Sequence, residues 1–480
     1  NIRKDYSSIF GPENRSGVFP AVSAGWKFSE MSFMQNITFL SFGKIRAGWG
    51  QMGNSSIDPY KYFGLVASPN VYAYAIDNTV PATTGASLHG IPNRELAWEA
   101  MNSTNIGLDL TFMENRISFT ADYFIKNNEG MLLERPLPSI AGTYQESPDN
   151  EGGETEYILN IGNNKNEGID ASIGFKNLRG KFKHVMDFNF TYVENTVGKI
   201  EGDSILNSAT AYTFTNLNFT TEGYPMGSIY GFVTDGLFRP EDAAIDDRGR
   251  VYIWNQPWIY NAAGDTLYAQ RRAEPGDVRF KDLNGDSVIN NDDRTIIGNP
   301  HPKFILGLSY SLTYKNFDFN MFWQGAFGHD IFQVNKVWLY NYSGQTNWTV
   351  EAKDGYRDPV LDEDGVTVID PGNTDADLFK ITVNDKNQNL RASDWYVSKG
   401  DYLRLKNIQI GYTLPAKVNQ ALGIGKFRIY VGAKDIITLT KYKGIDPEIA
   451  TSREDPTNRG IDMAVYPRPR VFIFGFNATF

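Results

Sequence analysis

The chain has 480 residues with 45 glycines, no cysteine and 14% aromatic residues, too long for one ordinary globular core but normal for a large barrel. A formal net charge of −10 argues against a nucleic-acid partner, and the lack of cysteine rules out a disulfide scaffold and a thiolate metal site. No apolar run approaches the roughly eighteen residues of a transmembrane helix, which leaves open a protein that crosses a membrane with strands.

The first ten residues, NIRKDYSSIF, lack the apolar core of a secretion signal, so an exported protein of this sequence is expected to be a mature form or a piece of a longer chain. Period-two alternation then marks strands one after another. Val22, Ala24, Trp26 and Phe28 share a face within Val18–Phe28, and Ile45, Ala47 and Trp49 do so within Lys44–Gly50. After a polar connection to about Arg94, Ile106, Leu108, Leu110 and Phe112 line up. A short MENR turn leads into Ile117, Phe119, Ala121, Tyr123 and Ile125. A second long connection precedes Ile169–Phe175, a turn at Asn177–Gly180, and a strand bearing Met186, Phe188, Phe190 and Tyr192. The connection Glu194–Pro302 is the longest. The clearest hairpin follows, with Phe304, Leu306, Leu308, Tyr310, Leu312 and Tyr314 opposite Gly307, Ser309, Ser311 and Thr313. It turns at Lys315–Asn316 and returns with Phe317, Phe319, Met321 and Trp323 opposite Asp318, Asn320 and Gln324. His329–Ser398 connects to Leu403–Leu414, and PAKVNQALGIGK leads to Phe427, Ile429, Val431 and Ala433. The last stretch, RVFIFGFNATF, sets Phe472, Phe474, Phe476, Ala478 and Phe480 against Val471, Ile473, Gly475, Asn477 and Thr479.

Phenylalanines repeated on one face of a terminal strand suit lipid better than water. Connections that alternate short and long give the rhythm of a barrel with short periplasmic turns and long extracellular loops. The expected fold is therefore all-β: a transmembrane antiparallel β-barrel contributing about 11 strands, with 194–302 and 329–398 as long extracellular loops. Phe304, Leu306, Leu308, Phe319, Met321, Phe472, Phe474, Phe476 and Phe480 are expected to face lipid, and Ser309, Ser311, Asn320 and Asn477 the lumen. In YLRLKNIQIGYTLP the apolar phase slips at Asn407, from Leu403 and Leu405 to Ile408, Ile410 and Tyr412; a β-bulge accounts for such a slip. An odd strand count does not close an up-and-down bacterial barrel. The strands therefore read as about half of a plugged barrel of roughly 22.

Several blocks resemble the SusC/RagA type of TonB-dependent outer-membrane transporter found in Bacteroidetes. They are FPAVSAGW (Phe19–Trp26), RAGWGQMGN (Arg46–Asn54), WEAMNSTNIGLDL (Trp98–Leu110), EGYPMGSIYGFVTDGLF (Glu222–Phe238), DVRFKDLNGDSVINNDDRTIIGNPHPKF (Asp277–Phe304), YLRLKNIQIGYTLP and GIDPE (Gly444–Glu448). The resemblance spans nearly the whole chain, which would be the C-terminal part of the barrel; the family's plug domain and early strands are absent. It implies uptake of large nutrients, glycans or oligopeptides, with a SusD-like surface lipoprotein lying over the barrel mouth. It also implies energy from TonB acting through the missing N-terminal part, and a dimer of transporter–lipoprotein pairs. A soluble β-sandwich that binds carbohydrate or mediates adhesion, and a siderophore- or cobalamin-type transporter, are the alternative readings.

No covalent chemistry is expected. The four histidines make no zinc spacing, and there is no GxSxG elbow or Walker A loop. Gly48–Gly53 matches GxGxxG without a following helix. One loop has ion-binding spacing. Asp282, Asn284, Asp286, Asn290 and Asp293 fall at positions 1, 3, 5, 9 and 12 of a twelve-residue loop, with the Val288 carbonyl at position 7, as in an EF-hand-like calcium loop. Ca²⁺, or Mg²⁺ with more water, is the expected structural ion, although position 6 is Ser287 rather than glycine and Asp293 is shorter than the usual Glu. Two aromatic stretches are candidate ligand or partner contacts, carrying Trp254, Trp258 and Tyr260, and Trp338, Tyr340 and Tyr342; the competing reading is that they pack the long loops.

Overall fold

The computed structural model describes residues 1–34, 36–59, 61–64, 66–67, 73–74, 83–84, 87–88, 91–137, 156–200, 205–207, 214–245, 251–260, 266–340, 347–363, 367–449 and 457–480. Its dominant element is one antiparallel sheet of twelve strands. In chain order these are β1 (Ile2–Tyr6), β2 (Ser16–Trp26), β3 (Leu40–Asn54), β4 (Glu99–Phe112), β5 (Ile117–Glu129) and β6 (Asn163–Asn177). They continue with β7 (Phe182–Val197), β8 (Phe304–Tyr314), β9 (Phe317–Phe327), β10 (Tyr402–Thr413), β11 (Lys426–Thr440) and β12 (Val471–Thr479). Each strand pairs with its chain neighbours, so the sheet is a continuous meander with β1 and β12 at its edges.

All the expected strands are present, and β1 is an addition. Arg3, Lys4 and Asp5 leave that stretch without an apolar face, and it is held through its pairing with β2, from Ile2 opposite Pro20 to Tyr6 opposite Ser16. The even count removes the parity argument for an incomplete barrel; the open edges carry that point instead. Two bounds also differ. Phe28 starts a 3-10 turn instead of ending β2, and β3 runs through the whole GxGxxG match, whose glycines therefore lie in extended chain.

Strands of 13 to 16 residues, such as β3, β5 and β7, exceed the nine to eleven or so needed to cross an apolar slab at a tilt, so they project beyond it. Their register builds two contrasting faces. Leu110, Phe119, Ile173, Phe188, Leu308, Trp323 and Leu405 lie in one row across seven strands. Met186, Tyr310, Met321, Ile408, Ala433 and Phe472 form another row, and Leu312, Phe319, Ile410, Val431 and Phe474 a third. Leu306 stands beside Phe190, and Phe304 beside Tyr192. The opposite face is polar. Arg46 Nη2 meets Asp122 at 2.5 Å and its Nε meets Asp109 at 3.1 Å; Arg428 pairs with Asp318; Ser311 Oγ donates to Asn320 at 2.7 Å. Phe322, between Ser309 and Asn407, is an apolar exception on that side.

The expected bulge is present. Trp323 pairs with Leu405 and Phe322 with Asn407, leaving Lys406 as the extra residue. That one residue keeps both Leu405 and Ile408 on the apolar face. It also sends Lys406 Nζ to Glu448, 2.6 Å away, and to Asp435 at 3.7 Å.

Antiparallel alternation puts the connections after β1, β3, β5, β7, β9 and β11 at one end of the sheet. The long connections are all among them. The largest buried side chains, including Tyr356, Tyr396, Phe238 and Phe332, lie in these connections rather than in the sheet.

Candidate functional site

Three connections, 198–303, 328–401 and 441–470, knit into one loop body through short strands that are not continuous in sequence. Asp330–Gln333 pairs antiparallel with Val397–Lys399 and parallel with Ile461–Asp462. Ser228–Phe232 pairs with Arg294–Gly298 and Asn218–Thr220. Asn218 Nδ2 donates to the Gly227 carbonyl at 2.7 Å and to the Arg459 carbonyl at 3.0 Å, tying the first connection to the third. Two apolar cores fill the body. One gathers Phe214, Leu217, Ile229, Phe332, Val337, Tyr396 and Ile461, and the other Phe232, Val278, Phe280, Tyr356 and Phe379. Trp395 packs against both. Its carbonyl accepts from Lys336 Nζ at 2.7 Å, and burial pushes the Lys336 ammonium down to about 8.

The GIDPE segment anchors this body to the sheet. Arg404, on β10, is buried; its Nη2 lies 2.5 Å from Asp446 and its Nη1 3.0 Å from Glu448. Glu448 also receives Lys406 from the bulge and Arg468 at 2.9 Å. The guanidinium and backbone hydrogen bonds outweigh burial and hold Asp446 below its ordinary value. GIDPE, one of the blocks that carry the family resemblance, thus takes part in an ion network joining loop to strand.

The two aromatic stretches behave differently. Trp254, Trp258 and Tyr260 are exposed, on an arm in which Trp258–Tyr260 pairs with Thr266–Tyr268. The Trp258 and Tyr260 rings are 5.0 Å apart, edge to face. Trp338 and Tyr340, by contrast, are half-buried. Trp338 packs on the first core, and Tyr340 lies against the second with its ring 5.0 Å from Trp395. Both positions pack the loop body, as the competing reading expects. Tyr342 lies outside the described residues.

In the Asp282–Asp293 loop the side-chain oxygens accept from backbone amides. Asp282 takes Gly285 and Ser287 at 2.7 and 2.8 Å, and Asn284 takes Asp286 at 2.9 Å. Asp286 takes Val288 at 2.8 Å, Asn290 takes Asp292 at 2.6 Å, and Asp293 takes Leu283 and Asn290 at 2.8 and 2.9 Å. Ser287 adopts φ +62°, the left-handed turn that glycine ordinarily serves at position 6 of an ion-binding loop. Among the described residues, no three His, Cys, Asp or Glu side chains converge as a metal-holding group.

Residues of this loop share a cleft wall with a buried amide–carboxylate network. Asn389 Nδ2 donates to Asp277 at 2.8 Å and to Asp385 at 3.0 Å, and Gln270 Nε2 donates to Asn387 at 2.9 Å. Burial pushes the Asp277 carboxyl up to about 6 and raises Asp385 as well. Two clefts open on it. One, of about 400 Å³, is lined by Tyr268, Arg271, Arg272, Lys386, Gln388 and Arg391 among others; the second, of about 670 Å³, shares Gln388 and Arg391. Sequence reasoning did not single out these cations. The Arg271–Arg272 doublet was the available signal, but its partners come from a segment more than a hundred residues away.

A long meander with one apolar and one polar face and its long connections at one end defines an outer-membrane β-barrel protein of a Gram-negative bacterium. The chain belongs to the TonB-dependent receptor-like β-barrel family, which matches residues 1–287. It is 32% identical over 491 aligned residues to TonB-dependent receptor P3 of Formosa agariphila, covering all of this chain and 43% of that protein. It is 25% identical to the TonB-dependent receptor SusC of Bacteroides thetaiotaomicron, again over all of this chain and 42% of the relative. Among solved structures, the RagAB peptide transporter superposes with a TM-score of 0.73 at 23% identity, over all of this chain and 45% of the other. The chain thus spans less than half the length of the curated relatives it matches.

Proposed function

We propose that this chain serves in TonB-dependent uptake of a large nutrient, a glycan or an oligopeptide, across the outer membrane, together with a SusD-like surface lipoprotein. The observation that carries this reading is the loop body. Three connections fold together at one end of the sheet and display Trp254, Trp258 and Tyr260 to solvent. Exposed tryptophan and tyrosine supply rigid contact area for a protein partner or a sugar face. The family's usual role and the peptide transport named for RagAB support the reading without choosing the nutrient. Binding and passage, rather than covalent chemistry, are the proposed work, and TonB is the proposed source of energy.

In this reading the apolar rows face lipid, with Phe304, Leu306, Leu308, Phe319, Met321, Phe472, Phe474, Phe476 and Phe480 outward. Ser309, Ser311, Asn320, Asn477 and the Arg46–Asp122 pair face the lumen. The 198–303 and 328–401 connections are then extracellular. The test is purification of the receptor from outer membranes in mild detergent without prior crosslinking. A stoichiometric lipoprotein that is lost when Trp254, Trp258 and Tyr260 are changed to Ala supports the reading. Recovery of the receptor with no lipoprotein at any stage would remove the partner from it.

A further inference from the structure

The 400 Å³ cleft in the loop body is electrostatically one-sided. It is lined by four cationic residues, Arg271, Arg272, Lys386 and Arg391, and by no acidic one, in a chain with 56 acidic and 46 basic residues. Arg271 and Arg272 are exposed and form no ion pair among the described residues. Lys386 pairs with Glu274 at 3.4 Å. Arg391 is held by aromatic faces, its guanidinium 5.0 Å from the Phe280 ring and 5.5 Å from that of Phe232, and the Asp385 and Asp293 carboxylates act on it from beyond ion-pair distance. Aromatic contact steadies a guanidinium while leaving its N–H groups able to donate to a planar anion.

Arg271 and Arg272, adjacent in the chain and without an ion-pair partner among the described residues, repel one another, and an anionic ligand relieves that repulsion. Arginine forks match carboxylates in two-point contacts. The Gln388 amide and the Ser287 hydroxyl on the wall, with the Tyr268 ring that packs on Tyr252, suit hydroxyl-rich rings better than an extended peptide backbone, which takes its contacts from a sheet edge. The cleft volume is within the usual range for a small-ligand site. We propose that this cleft is a subsite for the carboxylate groups of an acidic oligosaccharide. The proposal rests on the uptake reading above and narrows its cargo to a uronate-bearing glycan.

The experiment is calorimetric titration of the full receptor, purified in detergent, with a short oligogalacturonate. A neutral glucan oligomer and oligoglutamate serve as comparison probes. Oligogalacturonate should bind, more weakly as salt rises, and the exposed double variant Arg271→Gln/Arg272→Gln should bind it about tenfold more weakly or worse. Heat-modifiable gel migration checks that the variant barrel is intact; Arg391→Lys, which keeps charge but loses the fork, should also weaken binding. Absence of oligogalacturonate binding overturns the proposal, as does equal binding by the double variant. Arginine-dependent binding of oligoglutamate alone overturns the sugar assignment. Because lipoprotein co-purification is measured separately, a failed titration on an intact complex removes this inference and leaves the uptake reading standing.

Discussion

Leu308 and Ser309 are adjacent on β8 and point to opposite faces. Leu308 lies between Phe188 and Trp323, and Ser309 between Asp187 and Phe322. An arginine at mid-depth on a lipid face costs about 2–4 kcal/mol, and on a lumen face far less. Leu308→Arg should therefore impair folding into lipid vesicles by that order while Ser309→Arg leaves it nearly unchanged, as read by heat-modifiable migration. Equal tolerance of both would overturn the facing. In the loop body the informative residue is Asp277, buried against Asn389 with Asp385 and Glu274 nearby. Its folded-state value of about 6 lies above the ordinary 3.8, so protonation favours the folded loop body. That stabilisation is full below about pH 4 and is lost as pH rises through about 6, a change on the order of 3 kcal/mol. Asp385, shifted the same way, acts in the same direction. Hydrogen exchange around 276–280, corrected for intrinsic rates, should show stronger protection at pH 5 than at pH 7. Asp277→Asn should flatten that difference; an unchanged pH dependence in the variant would assign it elsewhere.

At the scale of elements, what the sequence made legible follows from where each element's information lies. A sheet strand displays its apolar face every second residue, so β4, β5, β8, β9 and β12 could be read locally, as could the phase slip that Lys406 produces. β1 could not, because its charges fall on both faces and its strand state depends on β2. The loop body was invisible for a stronger version of the same reason. Its strands are two to five residues long, too short to show a period, and contacts such as Asn218 to Arg459 close over 241 residues. Trp338 and Tyr340 therefore resembled exposed binding aromatics until their cores were assembled. The Asp282–Asp293 loop lies between these extremes: its spacing was readable, and its amide-satisfied geometry was not. We propose calcium for it still, as an ion tightening a loop that its own amides already order. Calcium should raise the thermal stability of the loop body and Asp286→Ala should abolish that gain. Ser287→Gly, relieving a left-handed non-glycine residue, should add about 1 kcal/mol. Identical melting in calcium and in chelator would remove the ion from the account.

For the whole molecule, two kinds of stability coexist. The sheet is held by backbone ladders and, in the membrane reading, by lipid on its apolar face. The loop body is held by ordinary aqueous burial of aromatic cores. The two should therefore respond separately to perturbation, coupled through local ties such as the Arg404–Asp446–Glu448 network and the bond from the Met226 amide to Asn195 Oδ1 at 2.8 Å. Trp395 tests that separation because it contributes to both loop cores and to neither face of the sheet. Its ring meets Tyr396 at 4.9 Å, Tyr340 at 5.0 Å and Phe379 at 5.3 Å, and Lys336 Nζ lies 4.7 Å above it. Truncating a packed aromatic costs about 3–5 kcal/mol. That loss falls on a body whose segments have no adjacent-strand ladder long enough to compensate. Trp395→Ala should then open the 198–303 and 328–401 connections to limited proteolysis at temperatures where the wild type resists, while the heat-modifiable migration of the barrel stays unchanged. Simultaneous loss of both signals at one temperature would mean that sheet and loop body unfold as a single unit, and the division drawn here would be wrong.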